Sequence, residues 1–79
     1  MKSPAEITEN IEGCKVKLQE SRDNEVKFSS VLTEDQHLSY QKTQAYIRGW
    51  IDCLEGVSKK GTNAEYESGY KNAGKWSKS

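Results

Sequence analysis

The strongest constraint on the fold is a helix-start signal that occurs three times. In a capping box, a Ser or Thr is followed three residues later by Glu or Gln, and the two side chains satisfy backbone N–H groups that the first helical turn leaves unpaired. This spacing occurs at Ser3–Glu6, Thr33–Gln36 and Thr62–Glu65. The first box adds Pro4 at the first helical position, where proline is favoured. The sequence therefore predicts three helices, beginning near residues 4, 34 and 63.

The segment after the first helix start carries two conflicting patterns. Gly13 is a natural residue to follow a helix C-terminus, so the first helix is expected over residues 4–12. Beyond it, apolar and polar residues alternate with a period of two at Cys14, Val16 and Leu18, and again at Val26 and Phe28. Alternation of this kind is typical of strands, and turn formers lie between the two runs. We predict a β-hairpin over residues 14–30; the alternative is a helix that continues to about residue 20.

The second half of the chain reads as two helices. Residues 34–57 and 63–77 place their apolar side chains at spacings of three and four, as an amphipathic helix does. The short loop between them is expected to make the two helices antiparallel neighbours. The expected fold is therefore α+β: a short N-terminal helix, a β-hairpin and an antiparallel helical hairpin, in a single small domain over residues 1–79. The alternative is an all-α three-helix domain.

Composition excludes several classes of protein. The chain has 79 residues, of which 33% are hydrophobic, and its 12 basic residues balance 12 acidic ones. A core this small contributes only about 3–5 kcal/mol of stability. No apolar run approaches the roughly 18 residues that cross a bilayer, so no membrane association is expected. A neutral chain is also unlike a general nucleic-acid binder, which is usually basic.

Cysteine usage and the N-terminal residues indicate a reducing compartment. Residues 1–20 lack the apolar run of a secretory signal, so a cytoplasmic location is expected. Neither Cys14 nor Cys53 has another Cys or His two to four residues away, which is the spacing of zinc ligands. We expect two free, partly buried thiols; the alternative is a disulfide between them, which requires the fold to bring them together. We predict no metal and no cofactor.

No pattern of residues indicates catalysis. His37 is the only histidine, and no motif links it to a nucleophile. Gly56 and Gly61 have the spacing of a phosphate-binding loop, but Thr62 and Asn63 replace the Lys-Ser/Thr pair that contacts phosphate and magnesium. We therefore predict no catalytic and no cofactor-binding residue, and a protein that is not an enzyme.

A short motif occurs once in each of the last two predicted helices. Tyr46-Ile-Arg-Gly49-Trp50 is followed 20 residues later by Tyr66-Glu-Ser-Gly69-Tyr70. A glycine costs roughly 1 kcal/mol in a helix interior, so two at matching positions indicate a close approach of the helices. We expect an aromatic ring of one helix to lie over the glycine of the other. The alternative is that the aromatic residues form a partner-binding surface.

This doublet resembles the ribosome modulation factor family, small bacterial and phage-borne proteins with two helices marked by aromatic-x-x-Gly-aromatic segments. The resemblance covers residues 45–73 and differs from the family's pattern after Asn63, where Ala64 and Glu65 replace a Pro-aromatic step. It implies binding to ribosomal RNA and protein rather than catalysis. The matching residues are Ala45, Tyr46, Gly49, Trp50, Gly56, Asn63, Tyr66, Gly69, Tyr70 and Ala73.

For function we expect a small protein-binding module that occupies a surface of a larger protein or complex. Short proteins of this kind serve phages and mobile elements as inhibitors or modulators of host enzymes and defence complexes. This expectation is an analogy with that class of proteins and does not come from particular residues. Trp and Tyr are frequent hot spots of interfaces. The expected contact residues are Tyr40, Trp50, Tyr70 and Trp76. The edge of the hairpin is a second candidate surface, and two hairpins pairing edge to edge would give a homodimer.

The alternative function is association with RNA or the ribosome through the C-terminal end. Residues 59–79 contain five basic and two acidic residues, a net charge of +3, interleaved with aromatic residues. Such a mixture binds RNA by contacts to phosphates and by stacking on bases. The residues expected to contact RNA or an acidic partner are Lys59, Lys60, Lys71 and Lys75.

Overall fold

The protein is built from three α-helices. The computed structural model describes all 79 residues, with α1 over Pro4–Lys27, α2 over Glu34–Leu54 and α3 over Ala64–Lys78, and no strand. α2 packs against both of the other helices. The α+β prediction is therefore wrong, and the fold is the alternative, an all-α three-helix domain.

The predicted helix end at residue 12 and the predicted hairpin over 14–30 are both replaced by one continuous helix. One stripe of buried and half-buried side chains recurs along α1 at Ile7, Ile11, Cys14, Leu18, Ser21 and Glu25. This is the heptad spacing of a helix that packs along another helix. Its last two positions are polar, which conceals the stripe in the sequence. Val16 and Val26, which suggested strands, are simply exposed on the helix.

The helix starts follow the capping signals closely. The Ser3 and Thr33 hydroxyls each accept the backbone N–H three residues later, at 3.2 Å, and Glu6 and Gln36 complete both boxes. At the third start Thr62 is not the cap. Asn63 takes that place, because its side-chain oxygen accepts from the backbone N–H groups of Glu65 and Tyr66 in the first turn of α3.

The helix C-termini are less well predicted. α2 ends at Leu54, three residues before the expected end at 57, and Gly56 then adopts a left-handed backbone conformation with φ of +76°. Glycine tolerates this conformation and commonly terminates helices there. α3 ends at Lys78, one residue beyond its expected end. Gly13, the expected end of the first helix, lies inside α1 with open space around it.

The glycines of the repeated motif, Gly49 and Gly69, bring α2 and α3 into backbone contact. A Cβ atom on Gly49 would overlap the carbonyl oxygen of Tyr66 and lie 2.9 Å from its carbonyl carbon. Reciprocally, a Cβ atom on Gly69 would overlap the carbonyl oxygen of Tyr46 and lie 2.9 Å from that carbon. The predicted close approach is confirmed, but the backbone of the aromatic residue, rather than its ring, lies against the glycine.

The molecule divides into two halves along α1 and α2. The stripe that α2 contributes to the α1–α2 seam runs through His37, Tyr40, Gln44, Ile47, Ile51 and Leu54. We call residues 19–44 the distal half, where the seam is mainly polar, and residues 1–18 with 45–79 the proximal half, where it is mainly apolar. The backbone and ring contacts of α3 with α2 at Gly49 and Trp50 lie in the proximal half.

The resulting particle is long and thinly filled. It measures 43 × 24 × 18 Å, and only eight residues are buried. Its accessible surface is 5437 Å², whereas a compact monomer of 8.9 kDa exposes about 4,800 Å². None of the three helices has the length and apolar character needed to span a membrane. An unusually large share of the chain is therefore available to partners.

Candidate functional site

Four of the six exposed large apolar side chains lie around the α1–α2 turn. We call this group the apolar tip: Val26, Phe28, Val31 and Leu38. Val26 and Val31 are 75% and 73% exposed. The turn is ordered, because the Phe28 carbonyl accepts the N–H groups of Val31 at 2.9 Å and Leu32 at 3.1 Å. The turn that carries Phe28 and Val31 is thus held in place by backbone hydrogen bonds.

A network of polar side chains lies behind the tip, in the seam of the distal half. The Gln44 amide donates to the Ser21 hydroxyl at 3.3 Å and to the Glu25 carboxylate at 3.1 Å. The other oxygen of Glu25 lies 3.2 Å from His37 Nδ1. The hydrogen bond from Gln44 and then that from His37 hold the pKa of Glu25 below its ordinary value. This network orients the base of the tip without an apolar core.

Sequence reasoning missed this network. His37, which no sequence motif singles out, is half-buried and bridges α2 to α1. The signal available in the sequence was helical periodicity. Positions three and four residues apart share one face of a helix, which places Ser21 and Glu25 on the same stripe as Leu18. Because polar residues at such positions are usually read as surface, only the pairing of the two helices shows that they form a seam.

The four predicted aromatic contact residues do not form one surface. Trp50 and Trp76 lie with ring centres 5.9 Å apart, and the Trp50 indole N–H donates to Asn10 at 2.7 Å. The Tyr70 hydroxyl donates to the Val57 carbonyl at 2.8 Å. These three side chains are half-buried in the proximal half, where they join the helices. Tyr40 is half-buried too, but it lies in the distal seam.

The four predicted lysine contacts also differ in setting. Lys59 forms an ion pair with Glu67 at 3.3 Å. Lys71 and Lys75 are exposed on α3, about one helical turn apart, and neither has an ion-pair partner. Lys60 lines a cleft between α2 and α3. The lysines therefore lie at one end of the molecule without forming a single cluster with the aromatic rings.

The two cysteines are free, half-buried thiols, as predicted. Burial is the main factor that raises the pKa of both Cys14 and Cys53 above the ordinary value of 9.0. A raised pKa keeps a thiol protonated and poorly nucleophilic. No group of three or more His, Cys, Asp and Glu side chains is arranged to hold a metal ion.

Comparison with known proteins adds no relative: no protein-family model, no curated protein and no solved structure matches the chain. What the chain does must therefore be inferred from the chemistry of its own surfaces.

Proposed function

We propose that the chain is a small non-enzymatic protein-binding module, of the inhibitor or modulator type, which inserts its apolar tip into an apolar cleft of a larger protein. The observation that carries the proposal is the concentration of exposed apolar side chains at one ordered end of the molecule. Apolar patches of this kind on a small protein mark interaction sites. The setting we propose is that of phage-borne proteins that occupy a host enzyme or defence complex.

Charged residues of both signs surround the tip. The flanking residues are Arg22, Asp23, Lys27, Glu34 and Asp35, and all of them are exposed. An apolar centre with a charged rim is the usual anatomy of a protein interface, in which the rim contributes specificity and association rate. The Lys27 ammonium also lies 5.4 Å from the centre of the Phe28 ring, which places a cation directly beside the apolar anchor.

The shape of the molecule favours a concave partner over a second copy. A stable interface buries about 800 Å² on each partner. Two narrow ends of a 43 × 24 × 18 Å particle that meet tip to tip bury only a few side chains. A cleft in a larger protein surrounds the tip and also contacts its charged flanks. We therefore propose a larger protein, and treat the homodimer as an outcome of the test.

The alternative, a ribosome- or RNA-associated factor, is less well supported by the surface. Stacking on bases needs free aromatic faces close to the basic residues. Tyr66 is only 8% exposed, and the hydroxyl groups of Tyr66 and Tyr70 are both hydrogen-bonded within the chain. The lysine end therefore offers phosphate contacts with little provision for stacking. It remains the second candidate, and the same experiment discriminates between them.

The test begins with capture of partners by the tagged full-length chain from host-cell lysate, with and without nuclease. Affinity for each captured component is then measured with purified proteins. Phe28→Ser and Val31→Ser probe the tip. Val16→Ser is a matched control, because Val16 is also an exposed valine of α1, 57% exposed, but lies outside the tip. Truncating a central apolar anchor is expected to weaken binding at least about tenfold.

The expected result is a stoichiometric complex that survives nuclease, is lost with either tip variant and is retained with Val16→Ser. A complex that is lost after nuclease, and that weakens when Lys71 and Lys75 are changed to Gln, would instead establish the RNA-associated function. Self-association that disappears with the tip variants would replace the larger partner by a second copy.

A further inference from the structure

A second surface feature is chemically different from the tip, and no tip residue lines it. It is a cleft of about 390 Å³ where α2, the connecting loop and the start of α3 meet. Its lining residues are Arg48, Asp52, Lys60, Gly61, Asn63 and Tyr66.

Hydrogen bonds within the chain fix one wall of the cleft. The Tyr66 hydroxyl donates to an Asp52 carboxylate oxygen at 2.6 Å and accepts the backbone N–H of Lys60 at 3.1 Å. The bond to Asp52 is the main factor that raises the pKa of Tyr66, so the phenol stays protonated and keeps this bond. The loop is therefore tied to α2 through a side chain of α3, and the wall is in place before a ligand arrives.

The remaining polar groups of the cleft are mostly unused donors. Arg48 and Lys60 are exposed, and neither forms an ion pair, although three other basic side chains of the molecule do. The Asn63 amide NH2 and the Gly61 backbone N–H donate no hydrogen bond within the chain; the Asn63 oxygen is occupied as the cap of α3. Two cations thus face one carboxylate, which is already bonded to Tyr66.

We propose that this cleft binds the phosphate group of a small phosphate monoester, with Arg48 and Lys60 as its charged ligands. A guanidinium presents paired N–H donors that match phosphate oxygens, and an ammonium adds a point charge. Gly61 has no side chain to cover its own N–H, and a Cβ there would meet nothing within 4 Å, so a phosphate oxygen can approach the backbone closely. The site is independent of the tip, so its failure would leave the proposed function untouched.

The experiment is an NMR titration of the full-length 15N-labelled chain with adenosine 5′-monophosphate as probe, at constant ionic strength. Sodium chloride serves as the blank and a short uridine RNA as the competing source of phosphate. Arg48→Gln and Lys60→Gln remove one cation each. Lys71→Gln is the matched control, because Lys71 is exposed and unpaired but does not line the cleft.

The expected result is saturable shifts of the Gly61 and Asn63 amide signals. Affinity should fall about tenfold or more in each cleft variant and stay within about twofold of the parent in Lys71→Gln, since a charge-assisted bond to phosphate is among the stronger polar contacts. All three variants change exposed side chains, and their spectra report directly that the fold is kept. Shifts that do not saturate, or that respond equally to all three variants, would overturn the site. Tighter binding of the RNA, weakened by Lys71→Gln, would reassign the basic end to nucleic acid.

Discussion

The proximal and distal halves of this molecule share one seam but fill it with different chemistry. In the proximal half the α1–α2 stripe is mainly apolar, and α3 packs on α2 so closely that two glycines touch the opposing backbone. In the distal half the same spacing carries Ser21, Glu25, His37 and Gln44, and apolar side chains are exposed instead of buried. Helical periodicity alone therefore does not show which part of a small protein contains its apolar core.

This difference separates stability from interaction. Burial of apolar area is the dominant favourable contribution to folding, and most of it lies in the proximal half. The distal half gains mainly hydrogen bonds, whose net contribution is about 0.5–1.5 kcal/mol each. The distal end is weakly stabilised and exposes apolar side chains, so a partner that buries those side chains would stabilise it most. The four predictions below test this division, beginning with the largest expected effect.

Gly49→Ala should be the most damaging single change. The added methyl would overlap the backbone of Tyr66, which cannot move as a side-chain end does. Overpacking typically lowers the free energy of unfolding by about 1–3 kcal/mol, and we expect a clash with backbone atoms to cost at least the upper end of that range. The better helix propensity of Ala returns only about 1 kcal/mol. We expect α3 to detach, which urea unfolding followed by Trp fluorescence would detect.

Gly13→Ala is the matched control for that change. Gly13 is also in a helix interior, but a methyl there would meet nothing within 4 Å. This variant should gain about 0.5–1 kcal/mol. If both glycine variants behaved alike, the backbone contact between α2 and α3 would not be what the proximal half depends on.

Asn10→Ala should destabilise the proximal half by about 1–2 kcal/mol. The Asn10 side-chain oxygen accepts the Trp50 indole N–H at 2.7 Å, and the change leaves that half-buried donor without its partner. The neighbouring Glu9→Ala, on an exposed side chain, is the control. An equal shift of the urea midpoint in both variants would show that general loss of helix surface, rather than this bond, is responsible.

Gln44→Ala should loosen the distal half by about 1 kcal/mol and leave the proximal half almost unchanged. It removes both hydrogen bonds that the Gln44 amide donates to Ser21 and Glu25, and it leaves the contact between His37 and Glu25 in place. Native-state hydrogen exchange measures the two halves of α2 separately. In the variant, the amides of residues 37–43 should exchange faster than in the parent, and those of residues 47–53 should exchange at the parent's rate. Uniform acceleration along α2 would mean that the helix opens as one unit.

Glu25→Gln should produce the smallest effect and a distinctive pH dependence. Because the pKa of Glu25 is lowered in the folded state, its contribution is fully present above the ordinary value of 4.5 and is lost as pH falls through the lower folded value. The parent should therefore be more stable than the variant at pH 6, and the difference should shrink as the pH falls below 4.5. Urea unfolding across that range measures it.

Glu20→Gln is the control for the pH experiment, because Glu20 is exposed on α1 and makes no hydrogen bond to another side chain in this structure. Its difference from the parent should stay flat with pH. A pH-dependent difference of the same size in both variants would show that general charge repulsion, and not the seam, sets the acid response.

Sequence reasoning was most successful where the determinants are local. A capping residue acts within three or four positions, so two caps were placed correctly and α3 was placed to within one residue at each end. At the third start Asn63 and Thr62 are both good caps, and the sequence does not rank neighbours. The hairpin prediction was wrong because five alternating residues fit a strand as well as an exposed helix face.

The candidate surfaces were harder to predict for the same reason. An exposed valine looks the same in sequence as a buried one, so the tip was not distinguished from core. Trp50 and Trp76 were named as contacts because of their residue type, but their positions join the helices. Whether they also touch a partner stays a prediction. The pairing of Arg48 with Lys60 across a cleft links two residues from different elements, which no local pattern shows.

The sequence by itself determined where each helix begins, because capping residues act over a few positions. The tertiary structure decided that α1 is continuous, since its polar stripe is stabilised only by Gln44 and His37 from α2. It also decided which glycines matter: Gly49 and Gly69 lie against a backbone, while Gly13 faces open space. Contacts between residues far apart in the chain depend on how whole helices pack, and that packing is a property of the folded molecule.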